Sequence, residues 1–182
     1  MPEYWNSIRE PMRQANRFPH GLLWLGSTVF LIAYIGTLFV LLPETIVTHL
    51  TWSGEADSWS DRETGLSLLL LTLLLVHGVF YGFLRWIENI PIAILNVPWK
   101  NYWCANPDRK QEMYGRIRIL LGVSGWYTNL IFLGVLVTVH QSTIRGDAES
   151  ISLLTSVSAI VGSVILILWI YGFFRPPLKN KD

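Results

Sequence analysis

Four long apolar runs, at about 21–42, 66–87, 118–139 and 151–174, dictate what this chain can become. A helix rises about 1.5 Å per residue and the hydrocarbon layer is about 30 Å thick, so roughly twenty apolar residues make one crossing. Each run has that length, and a helix keeps its backbone hydrogen bonds internal where water is absent. The sequence therefore predicts an all-α integral membrane protein with four transmembrane helices. Charge is sparse enough to agree: 15% of residues are Asp, Glu, Lys or Arg, against about a quarter in soluble domains. The runs leave no length for a second domain. Residues 1–182 read as a single membrane domain, with loops 43–65 and 140–150 on one side and 88–117 on the other.

Lys and Arg set the orientation, because they collect on the cytoplasmic side. Only Arg62 and Arg145 fall in the 43–65 and 140–150 loops; the other Lys and Arg lie in the two tails, in the 88–117 loop, or at the adjoining span ends as Arg85 and Arg118. Both termini are expected in the cytoplasm. A net charge of +1 offers nothing to a polyanion such as nucleic acid. Cys104 has no second cysteine to pair with, so a free thiol in a reducing compartment is expected. The first run follows a mostly polar stretch and ends in Leu41-Leu42-Pro43-Glu44, without a small-residue cleavage site. It is expected to remain as a span.

Before the first span, Arg9, Arg13 and Arg17 recur every four residues among Trp5, Met12 and Phe18. This suits either a short amphipathic segment on the membrane surface or a basic flank that sets orientation. In the outer loop, Ile46, Thr48, Leu50 and Trp52 alternate with Val47, His49 and Thr51, so an extended segment is expected before a turn at Ser53-Gly54-Glu55. Ser60-Asp61-Arg62-Glu63 reads as a capping box with Ser60 as the cap of the second span. Asn106-Pro107 reads as an N-cap and first helical residue, predicting a short helix that leads into the third span.

Two loop motifs carry a resemblance. The outer-loop pattern Leu42-Pro43, His49, Gly54, Asp57, Trp59 resembles an uncharacterised bacterial four-span membrane domain, which also forms the N-terminal part of SdpI-type immunity and signal-transduction membrane proteins. The inner-loop pattern Asn96-Val97-Pro98-x-Lys100-x-Tyr102-Trp103, followed by Pro107-Asp108-Arg109, is similar to a second motif of short members of that group. The resemblance spans about residues 20–140. Departures from it are Leu50 after the His, Ala56 in place of a usual Pro, and Trp99 in place of a usual Asn. It implies the four-span fold and a bacterial cytoplasmic membrane, and no established chemistry.

Polar residues within the spans mark where function concentrates, because each is costly in hydrocarbon. His77 lies near the middle of the second span; at about 100° per residue it shares a face with Tyr81 and Glu88. One reading makes His77 the ligand of a haem or chlorophyll-type pigment, or part of a proton path lined by Tyr81 and Glu88. The other makes it a neutral ring hydrogen-bonded across helices, with Asn129 on the third span as its expected partner. Small residues suited to close helix packing are Gly78 and Gly82 on the second span, Gly122 and Gly125 on the third, and Ala159 and Gly162 on the fourth. Around His49 the outer loops gather Glu44, Glu55, Asp57, Asp61 and Glu63, but without the close ligand spacing of a metal site. No nucleophile elbow, phosphate loop or Cys-x-x-Cys is present, so no catalytic residue and no metal is expected.

Two functions follow as expectations. The first is a non-enzymatic accessory subunit or immunity/sensor-type protein that packs its helices against a membrane partner or a second copy, without a cofactor. The second is a cofactor-, pigment- or proton-handling bundle centred on His77.

Overall fold

A computed structural model describes residues 19–51, 55–145 and 149–176. The expectations for 1–18, for Trp52 and Ser53 and for the motif residue Gly54 lie outside these residues. Four helices are long and apolar enough to cross a membrane. In chain order the elements are α1 (Pro19–Leu41), β1 (Thr45–Leu50), β2 (Ala56–Asp61), α2 (Arg62–Trp86) with a 3₁₀ turn (Ile87–Asn89), α3 (Lys100–Trp103), α4 (Pro107–Arg145) and α5 (Glu149–Phe173).

α4 is the hub. It contacts α1, α2, α3, α5 and β1. Its 39 residues form one continuous helix, on the order of 58 Å at 1.5 Å per residue, where the sequence reading had a short leading helix and a span of ordinary length. Pro107 suits the first helical position, and Arg109, Lys110, Gln111, Glu112 and Met113 are good helix formers, so this charged stretch extends the span outward without a break. Asn106 starts it as expected: its side-chain oxygen accepts the Arg109 backbone N–H at 2.9 Å.

Between α1 and α2 the chain makes an antiparallel hairpin, β1 with β2. The register shifts between Val47 and His49 and again between His49 and Leu50. A bulge of this kind breaks strict alternation, and Ile46 and Val47 are both buried. Ile46 fits over Gly65 of α2, where a Cβ would stand 2.7 Å from the Ile46 Cδ1. The Val47 N–H donates to the Thr143 hydroxyl of α4 at 3.1 Å. β1 is thereby fixed to both helices.

The cap of α2 is Asp61, not Ser60. Its carboxylate accepts the Thr64 N–H at 2.7 Å, while the Ser60 hydroxyl donates to the carbonyl of Asp61. Strand pairing carries the chain one residue further before the helix begins. Arg62 ties this start to the end of α1, its Nη1 donating to the Leu42 carbonyl at 2.7 Å and its backbone N–H to that of Glu44 at 2.7 Å.

Two apolar clusters hold the bundle. Near the hairpin, Leu31, Ile35, Leu38, Leu42, Ile46, Leu66, Leu73 and Leu136 join α1, α2, α4 and β1. At the opposite end, Ile87, Trp103, Met113, Tyr114, Ile117 and Phe174 join the long loop to the start of α4 and the end of α5.

Candidate functional site

The mid-bundle cluster is built around Trp24, a residue that sequence reasoning passed over. Its indole stacks on the His77 ring with centroids 5.6 Å apart and planes at 24°. Its edge presses on Gly125, where a Cβ would stand 2.6 Å from the indole Nε1. Only glycine lets the ring lie this close to α4. The backbone carbonyl of Trp24 collects donors from Ser27 at 2.9 Å, Thr28 at 2.8 Å and Asn129 Nδ2 at 3.2 Å. The buried Asn129 amide also reaches the Ser27 and Thr28 hydroxyls, at 2.7 and 3.0 Å.

His77 is therefore not the partner of Asn129. Its Nδ1–H donates to the Leu73 carbonyl one turn back at 2.7 Å, and Trp24 lies between the two. Tyr81 is 66% exposed, so it faces outward and lines no route with His77. Glu88 sits at the 3₁₀ turn and pairs with Arg118 at 2.6 Å. Three side-chain atoms in the cluster are buried and have no hydrogen-bond partner among the described residues: Trp24 Nε1, His77 Nε2 and Asn129 Oδ1. Tyr34, further along α1, reaches His140 Nδ1 at 3.0 Å.

The small residues divide into two sets. Gly125 takes Trp24, and Gly162 takes the Tyr127 ring, whose hydroxyl donates to the Ala159 carbonyl at 2.6 Å. Gly122 is buried in α4. A Cβ at Gly78 or Gly82 would meet nothing within 4 Å.

At the hairpin end, His49 Nδ1 and Asp57 Oδ1 stand 2.5 Å apart across the strands, both exposed. The Asp57 carboxylate is thus the hydrogen-bond partner of the His49 ring. Trp59 pairs in register with Val47 and stays half exposed, and Pro43 is exposed at the end of α1. No group of three His, Cys, Asp or Glu side chains is placed to hold a metal among the described residues.

The inner-loop motif forms a clamp on the end of α5. Trp103, fully buried, donates its Nε1–H to the Phe174 carbonyl at 3.0 Å. Arg116 donates to the Phe173 carbonyl, bonds Glu112 at 2.8 Å, and lies over the Trp103 ring at 4.6 Å. These donors satisfy helix-terminal carbonyls that have no partner within the helix. Lys100 donates to the Ala93 carbonyl at 3.0 Å, and Arg109 lies over the Tyr102 ring at 4.3 Å, just past Pro107 at the start of α4. Asn96 is exposed and Pro98 half-buried in the loop before them; Cys104 is a free thiol.

The fold and these sites define a multi-pass helical membrane protein. Compared with known proteins, the chain matches no family model, no curated protein and no solved structure.

Proposed function

We propose that this is a small non-enzymatic protein of the bacterial cytoplasmic membrane, with both termini inside. It acts as an accessory subunit or immunity/sensor-type protein by packing helices against a membrane partner or a second copy. The observation that carries this reading is the contrast among the glycines. The bundle fills its own notches at Gly125 and Gly162 with aromatic rings, yet leaves the Gly78–Gly82 notch of α2 open. Exposed Leu75, Val79 and Phe83 surround that notch. Small-x-x-x-small faces of this kind let two helices approach closely in a bilayer. Its charge-poor, aromatic-rich surface suits a larger energy-transducing or transport assembly as partner. The test is native mass and co-purification in mild detergent for wild type and for Gly78→Ile with Gly82→Ile. The pair of substitutions should release the partner or the second copy while the monomer still melts as wild type. A mass unchanged by them sinks the reading.

A second reading has its own support, the buried unpartnered Nε2 of His77. In it, that nitrogen ligates a haem or chlorophyll-type pigment or takes a proton. A visible absorption band in the purified protein, lost in His77→Leu, would establish the pigment form; a colourless protein removes it.

A further inference from the structure

The two ends of the bundle carry charge of opposite sign. Among the described residues, Glu44, Glu55, Asp57, Asp61 and Glu63 outnumber Arg62 and Arg145 at the hairpin end. At the other end seven basic residues stand against three acids, and the structure divides those seven. Arg116 is paired with Glu112 at 2.8 Å and Arg118 with Glu88 at 2.6 Å. Lys100 is turned to the Ala93 carbonyl. The third acid, Asp108, lies in the first turn of α4, where the helix dipole favours a carboxylate. The remaining four cations, Arg85, Arg109, Lys110 and Arg175, form no ion pair with a carboxylate among the described residues.

Aromatic rings accompany these four. Arg109 lies over the Tyr102 ring at 4.3 Å and Lys110 over the Tyr114 ring at 5.8 Å, so a ring face and not an opposite charge holds each of them. Arg85 is exposed beside Trp86, itself 65% exposed, and Arg175 is exposed one turn beyond the exposed Tyr171. Ring contacts fold α3 and the start of α4 against the end of α5: Tyr102 meets Trp103 at 4.9 Å, Trp103 meets Phe174 at 6.4 Å, and Trp99 meets Tyr171 at 4.9 Å. The four cations thus mark the ends of α2, α4 and α5, where the apolar spans stop. In a bilayer that layer is the headgroup region, where Trp and Tyr anchor a span and long basic side chains keep their stems on apolar surface. One soluble ligand would need the cations gathered in a single pocket. They are spread over three helix ends, as suits the lipids that surround a bundle. A zwitterionic headgroup brings its own cation, so unpaired basic side chains favour an acidic lipid. We propose that this end of the bundle binds acidic phospholipid headgroups through Arg85, Arg109, Lys110 and Arg175, and that Arg116 and Arg118 take no part. The proposal goes beyond the helix-packing function, depends on neither Gly78 nor Gly82, and is tested on the isolated chain.

The experiment uses the full chain in phosphatidylcholine membranes. Electron paramagnetic resonance compares the motionally restricted fraction of spin-labelled phosphatidylglycerol with that of spin-labelled phosphatidylcholine. At low salt the acidic lipid should associate roughly fivefold more strongly, the effect of one basic side chain near a charged membrane surface. Added salt should shrink this preference, because exposed charges are screened. Arg85→Gln, Arg109→Gln, Lys110→Gln and Arg175→Gln combined should bring the two lipids to equal association while the melting temperature stays near wild type. The exposed pair Arg85→Gln with Arg175→Gln should lower the preference by itself, which keeps the test valid if the fourfold variant folds poorly. Glu88→Gln with Arg118→Gln removes one ion pair and should leave the preference as in wild type. The proposal is overturned if wild type takes both lipids equally, if the fourfold variant keeps the preference, or if the Glu88→Gln, Arg118→Gln protein loses it. Equal association of the two lipids together with thermal protection by inorganic triphosphate would assign these cations to a soluble polyanion, and would overturn it too.

Discussion

The Trp24 indole lies flat on the His77 imidazole, 5.6 Å between centroids, with its edge against the bare backbone of Gly125. One ring thus joins three helices at the depth of the costliest polar side chain in the bundle. Gly125→Ala places a methyl 2.6 Å from the indole nitrogen, and a stiff ring trapped between two helices cannot yield as a flexible chain end does. The substitution should cost about 1–3 kcal/mol, the usual range for overpacking. Gly78→Ala and Gly82→Ala meet nothing, so they should not destabilise the isolated monomer and should gain up to about 1 kcal/mol of helix propensity. Unfolding in denaturing detergent, followed by tryptophan fluorescence, distinguishes the two sites; equal effects at Gly125 and Gly78 would contradict the packing described.

The spans were legible because hydropathy alone decides them. What the sequence hid has separate physical reasons. Asp108, Arg109, Lys110 and Glu112 interrupt the apolar pattern without interrupting the helix, so α4 runs further than hydropathy shows. β2 reads Ala-Asp-Ser-Trp-Ser-Asp, with no apolar alternation to announce a strand; its pairing with β1 makes it one. The period of α2 grouped His77 with Tyr81, which is exposed, and a period cannot say which neighbour covers a residue. The neighbour is Trp24, in a helix whose pattern is apolar on all sides. The loop motif residues Trp103 and Lys100 were visible as a pattern. The use of Trp103, closing the far end of α5, depends on a contact distant in sequence, and that of Lys100, pinning the loop at Ala93, on how the residues between them turn.

Asn129 and His77 should not couple directly. Asn129→Leu removes the amide that serves Trp24, Ser27 and Thr28. Its cost should be about 0.6–2 kcal/mol, the range of interhelical hydrogen bonds in membranes. His77→Leu removes the stack and the bond to Leu73. The two share Trp24, whose ring stacks on His77 and whose carbonyl accepts from Asn129; in a Trp24→Leu background, where the stack is gone, a double-mutant cycle should give a coupling below about 0.5 kcal/mol. A larger coupling would restore the direct His77–Asn129 pair that the sequence suggested.

Trp99 occupies the left-handed region, φ 54°, at the start of α3. That conformation costs a residue with a Cβ about 1–2 kcal/mol relative to glycine. Its ring meets Tyr171 of α5 edge-on at 4.9 Å, a contact worth about 0.5–1.5 kcal/mol. The two effects are of similar size, so Trp99→Gly in the wild type should change stability little. In a Tyr171→Ala background the ring contact is already gone, and the same substitution should then stabilise by about 1 kcal/mol. Thermal melts of the four proteins of this cycle test the sign; destabilisation by Trp99→Gly in the Tyr171→Ala protein would refute the strain argument.

Asp61 gives the hairpin end a pH dependence of definite sign. Hydrogen bonds from the Thr64 hydroxyl and then from its backbone N–H hold the Asp61 carboxyl below the ordinary carboxylate range. A carboxyl with a lowered folded-state pKa contributes stability that is fully present above its unfolded value and is lost as pH falls through the folded value. Between pH 7 and the ordinary carboxylate range the cap should therefore be intact, and below that range it should weaken as the carboxylate takes up its proton. Asp61→Asn keeps an N-cap acceptor without the titration. It should abolish this part of the acid sensitivity while leaving neutral-pH stability close to wild type, and Asp61→Ala should lower stability at neutral pH and flatten the same acid limb. Melting temperatures of the three proteins from pH 7 downward decide it. If Asp61→Asn loses stability in acid as steeply as wild type, the acid sensitivity arises at other carboxylates and the cap at Asp61 does not control it.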